Sequence, residues 1–154
     1  MPSASAKTLT LNWVEQRSTA YYAEAMTFKV KDVTIGLRAW SVHASFTNRS
    51  QVTLRIRRTL GDYYASYDFG LGWANCTNPG GFASCGVQTL KYTYAKPVFP
   101  KQLLPRQTWS GVFGGPGIPT HGLLINVVFG VFLPPGAPQT AKEFDYITTH
   151  AFKL

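Results

Sequence analysis

Apolar and polar side chains take turns along short stretches of this chain, and that alternation limits the folds open to it. Trp40, Val42, Ala44 and Phe46 alternate with Ser41, His43 and Ser45, and Val52, Leu54 and Ile56 alternate with Thr53, Arg55 and Arg57. A period of two places one set on each face of a strand. The same pattern recurs at Leu9, Leu11 and Trp13, at Met26, Phe28 and Val30, and at Tyr63, Ala65, Tyr67, Phe69 and Leu71. It returns at Leu90, Tyr92 and Tyr94, at Trp109, Gly111 and Phe113, and at Phe144, Tyr146 and Thr148. Val33 and Ile35 have the opposite parity to Met26, Phe28 and Val30, which predicts a bulge near Asp32. Residues 123–132 are apolar on both parities, as in a strand at the middle of a sheet, and Asn126 within them needs partners if buried.

Turn-forming residues separate these runs. Thr47-Asn48-Arg49-Ser50, residues 114–119 and residues 134–138 read as turns, and Pro97 and Pro100 end a strand. No stretch carries an apolar period of 3.6 long enough for a helix. The expectation is an all-β, two-sheet immunoglobulin-like or Greek-key sandwich of about eight or nine strands. Its 154 residues suit one core, with residues 1–7 as a flexible, small-residue tail and 8–154 as a single domain. Such a tail is compatible with a cleaved signal peptide.

Charge narrows the partners. Fifteen Lys and Arg stand against seven Asp and Glu, a net charge of +8. Their densest groupings are Lys29 with Lys31, and Arg55 with Arg57 and Arg58. No basic run of the kind that marks a nucleic-acid patch occurs, so the surface reads as generally basic and nucleic acid is not the expected partner. No apolar run reaches the ~18 residues of a membrane span.

Cys76 and Cys85 flank a Gly- and Asn-rich segment that has little else to hold it. A disulfide between them is expected, worth about 3 kcal/mol in the chain-entropy model and implying an oxidising compartment. Zinc-ligand spacing is absent, and no metal or cofactor is expected.

The run Trp40 to Ser50, followed by Val52-Thr53-Leu54-Arg55-Ile56, resembles bacterial extracytoplasmic immunoglobulin-like modules, in which a strand ends in an Asn-x-Ser turn and the next strand pairs back. Leu103-Leu104-Pro105-Arg106-Gln107-Thr108-Trp109-Ser110-Gly111 resembles the polar turn and strand that precede their final strands. The resemblance covers about half the chain and implies a secreted or envelope-attached sandwich without catalytic residues. The chain departs from antibody domains in lacking a cross-sheet cysteine pair, because Cys76 and Cys85 are too close in sequence.

Groups for catalysis are few. Asp62 with Asp68, or Glu143 with Asp145, could be chosen as a hydrolytic carboxylate pair, but charges on solvated strand faces are the expected reading. His43, His121 and His150 are scattered, no nucleophile elbow occurs, and Gly114-Gly115-Pro116-Gly117 lacks the ending of a phosphate loop. Asn48-Arg49-Ser50 and Asn75-Cys76-Thr77 match the glycosylation pattern, which also arises by chance in turns. Binding remains. Trp73, Phe82, Tyr63 and Tyr64 are the candidate contacts, with Trp73 and Phe82 grouped around the Cys76–Cys85 loop. The expected function is a non-catalytic extracytoplasmic module that binds a cell-surface protein or polysaccharide. The alternative is a structural subunit that assembles with copies of itself, possible through a donated N-terminal strand.

Overall fold

The computed structural model of the chain describes residues 7–17, 26–57, 69–74, 87–118, 124–136, 145–147 and 152–153. The described residues are β throughout, with no helix. Five strands make one antiparallel sheet: β1 (Lys7–Arg17), β2 (Met26–Ile35), β3 (Ala39–Asn48), β9 (Thr108–Pro116) and β7 (Tyr94–Lys96), in that spatial order. The second sheet runs β6 (Val87–Lys91), β5 (Phe69–Ala74), β10 (Leu124–Leu133), β4 (Leu54–Arg57) and β8 (Gln102–Leu103). β11 (Asp145–Ile147) and β12 (Phe152–Lys153) also pair with β10.

Alternation becomes burial as the sequence requires. Trp40, Val42, Ala44 and Phe46 point into the core, as do Phe28, Val30, Trp109 and Phe113. From the second sheet come Phe69, Leu71, Ile125, Val127, Phe129 and Phe132. Aromatic rings bridge the two sheets: Phe28 lies 4.5 Å from Phe129, and Phe46 lies 5.1 Å from Phe132, between ring centroids. Phe46 also stacks on Trp109 at 5.1 Å, and Phe69 on Phe99 at 4.0 Å. Each fully buried ring of this kind contributes about 2 kcal/mol by removal from water.

β10 has partners on both edges, as its two-sided apolar pattern demands. Val128 pairs with Gly70 on one side and Ile147 on the other. Val131 pairs with Arg57 and Asp145. Since β11 occupies one edge at both positions, β4 and β5 must share the other. They follow one line along β10, β5 facing residues 124–129 and β4 facing residues 131–133. Gly130 sits at the handover with φ +79°, and a Cβ there would stand 2.9 Å from the Phe69 ring.

The expected bulge is present: the β2–β3 register shifts between Val30 and Asp32. Three expected boundaries change. The run Leu90–Tyr92–Tyr94 is not one strand, because the chain leaves the second sheet after Lys91 and joins the first at Tyr94. The Tyr92 amide still donates to the Phe69 carbonyl, and the Thr93 amide already donates to that of Gly114. Gly114, Gly115 and Pro116 belong to β9 and not to a turn, paired with Ser41, Trp40 and Ala39. Glycine is needed there because the Tyr94 ring lies over Gly114, its hydroxyl oxygen 2.6 Å from where a Cβ would be. β5 runs over Phe69–Ala74, so Trp73 lies within a strand.

Candidate functional site

With the odd-numbered residues of β9 and the even-numbered residues of β3 in the core, the opposite parity forms the outer face of the five-stranded sheet. Register then groups its residues into rows across the strands. One row is Thr8, Thr34, Ser41, Gly114 and Tyr94. The next is Thr10, Asp32, His43, Val112 and Lys96. A third holds Val14, Lys29, Ser45 and Ser110, and a fourth Gln16, Thr27, Thr47 and Thr108. Strands about 4.8 Å apart make this a platform roughly 20 Å wide.

The platform is dominated by small hydroxyl side chains. Thr47 and Thr108 share a hydrogen bond of 2.7 Å between hydroxyls. Thr27 is buried, and its Oγ1 has no hydrogen-bond partner among the described residues. At the bulge, Asp32 Oδ2 stands 3.5 Å from His43 Nδ1, both side chains partly exposed. A bulge turns a side chain out of the regular pleat, and here it sets a carboxylate opposite an imidazole. At the edge, the exposed Tyr94 ring lies across Gly114, with Lys96 Nζ 5.9 Å from its centroid. The face therefore offers an aromatic plane, hydroxyls that donate and accept, one carboxylate–imidazole pair and exposed Lys29, Lys31 and Lys96.

Of the contacts expected from sequence, Tyr63, Tyr64 and Phe82 lie outside the described residues, as do Cys76, Cys85 and the proposed disulfide. The acceptor Asn75 and the histidines His121 and His150 also lie outside them. The Trp73 backbone pairs with Ile125 on one side and Gln88 on the other, two positions beyond the core residue Leu71. Among the described residues no three His, Cys, Asp or Glu side chains gather as a metal site would require. No described helix is long and apolar enough to cross a membrane.

Asn48 has a different role from the one its acceptor pattern suggests. It is fully buried. Its Nδ2 donates to the Val52 carbonyl at 2.8 Å and the Leu103 carbonyl at 3.0 Å. Its Oδ1 accepts from the Ser50 amide at 2.9 Å and the Ser50 hydroxyl at 2.6 Å. The side-chain nitrogen that a glycan would occupy is therefore consumed in tying β3 to the loop before β4 and to the last residue of β8. The Ser50 of the same pattern completes that turn.

Sequence reading found the polar members of β3 but not their neighbours. Tyr94 lies 53 positions from Ser41 in the sequence, and only the register of β3, β9 and β7 brings them into one row. The chain matches no known family model, no curated protein and no solved structure.

Proposed function

We propose that this chain is a non-catalytic, extracytoplasmic immunoglobulin-like module that binds glycans through the outer face of its five-stranded sheet. Strand order supports the immunoglobulin-like part. The neighbours β2-β3-β9-β7 follow the A-B-E-D order of such a sandwich, and β6-β5-β10 with β11 and β12 follow C′-C-F-G. β1 is then an added strand beside the first.

The observation that carries the binding reading is the exposed Tyr94 ring at the edge of a sheet face rich in hydroxyls. A sugar ring presents C–H groups on one face, which suit the negative face of an aromatic ring. Its rim of hydroxyls suits Ser41, Thr34, Asp32 and His43. A protein partner fits this surface less well, because binding hot spots concentrate Trp, Tyr and Arg and under-represent Ser and Thr. An extracytoplasmic location accords with this ligand.

A glycan array probed with the wild-type chain and with Tyr94→Ala tests the reading. The wild type should bind a subset of glycans, and the variant should lose about tenfold in affinity while keeping its melting temperature. Equal binding by both would remove Tyr94 and its row from the function.

A further inference from the structure

Beyond the β3 end of the platform, a strained arginine docks its backbone on the peptide that precedes a second arginine. Leu104-Pro105-Arg106-Gln107 is a tight turn closed by the Gln107 amide donating to the Leu104 carbonyl at 3.0 Å. Its ends are braced again by the Leu104 amide donating to Gln107 Oε1 at 2.8 Å. Arg106 occupies the third position with φ +67°, the only positive φ outside glycine among the described residues. A turn with proline second and a positive φ third favours Gly or Asn at that third position. An arginine there is strained, and strain of this kind gathers at functional sites.

The turn is docked, not free. The Arg106 amide donates to the Asn48 carbonyl at 2.7 Å, and the Asn48 amide donates to the Gln107 carbonyl at 3.0 Å. That Asn48 carbonyl belongs to the peptide leading into Arg49, so the backbones of Arg49 and Arg106 lie next to each other. Both are exposed, and neither has an ion-pair partner among the described residues. Residues 48–57 and 97–118 contain no Asp or Glu at all. The fold thus holds a strained Arg106 backbone against the peptide that leads into Arg49, in segments that carry no carboxylate. Two adjacent guanidiniums bind an oxyanion strongly, through forked, charge-assisted hydrogen bonds.

We infer that the Arg49–Arg106 pair holds an acidic group of the bound glycan, so that the ligand is an acidic polysaccharide. The assignment rests on the glycan reading of the platform, from which the pair continues: β3 runs from Ser41 beside Tyr94, through Thr47, to Asn48 and Arg49. The span from the Tyr94 row to Arg49 is roughly 26 Å at a strand's rise per residue, long enough for several sugars. Nucleic acid suits the pair less well, because its exposed neighbours are Leu104 and Pro105, with no aromatic ring for a base to stack on.

The test measures binding of oligogalacturonate and of the same oligomer with its carboxylates reduced to alcohols, by calorimetry. The proteins are wild type, Arg49→Ala, Arg106→Gly, Tyr94→Ala and, as a charge control, Arg38→Ala in the β2–β3 turn. The wild type should prefer the acidic oligomer by about tenfold, and Arg49→Ala and Arg106→Gly should each abolish most of that preference. Arg38→Ala should keep it. Arg106→Gly should melt at or above the wild-type temperature, because glycine is unstrained at this φ, which separates lost binding from lost folding. Equal affinity for the two oligomers, or equal losses in Arg38→Ala, overturns the inference. If the arginine variants lose binding but Tyr94→Ala does not, the pair stands and the platform reading falls. If Tyr94→Ala alone loses binding, the platform stands and the pair falls. Binding of neither oligomer counts against both, and a DNA duplex bound more tightly than oligogalacturonate replaces the polysaccharide with nucleic acid.

Discussion

Removing the Asn48 side chain takes away two donors and one acceptor in a place water does not reach. The Val52 and Leu103 carbonyls and the Ser50 amide all lose a partner. Buried groups left unsatisfied cost more than the bonds themselves contribute. Asn48→Ala should therefore destabilise the fold by about 3 kcal/mol, read from the midpoint of urea unfolding at constant slope. A loss under about 1 kcal/mol would show that the network is not what ties the loops together. The Asn-x-Ser pattern drew attention to this residue for its chemistry, but a sequence pattern cannot report that the amide is buried. What the sequence did hold was the adjacency of Asn, Ser and a strand end, which is turn chemistry. Arg106 is the opposite case: nothing in the sequence marks its φ, because only docking onto Asn48 makes the turn visible.

Strand formation was legible where one face is core and the other solvent. β2 and β3 follow their alternation closely, including the parity change at Asp32, because burying one face fixes the register. Legibility failed where the fold breaks the pattern for a reason distant in sequence. The alternation through Leu90, Tyr92 and Tyr94 hides a change of sheet at which the parity flips: Leu90 and Tyr92 pack against the core, whereas Tyr94 is exposed and Ala95 takes the inward place. Gly114 and Gly115 read as a turn, whereas in β9 Gly114 makes room for the Trp40 carbonyl and Tyr94, and Gly115 for the Lys91 carbonyl. At the junction of β4 and β5, Gly130 has both a positive φ and the Phe69 ring close by. Gly130→Ala should cost about 2–4 kcal/mol, from backbone strain and overpacking together. A melting temperature unchanged in that variant would mean that β4 and β5 do not share a line along β10 as described.

At the scale of the molecule, two sheets bury their aromatic faces against each other and leave a hydroxyl-rich platform on one side. Platform and arginine pair together give a surface with directional chemistry, neutral hydroxyls leading to concentrated positive charge. That direction was beyond the sequence, since its rows are assembled from segments separated by most of the chain. The self-assembly reading looks instead to β1, whose partner among the described residues is β2 alone. In that reading β1 meets a neighbouring subunit and the platform is idle. Backbone amide chemical shifts, recorded while a glycan that the chain binds is titrated in, separate the two. The platform account predicts shifts at Ser41, His43, Lys96 and Gly114, with β10 unmoved. Shifts confined to β1 and dependent on protein concentration, or shifts spread over the second sheet, would contradict it.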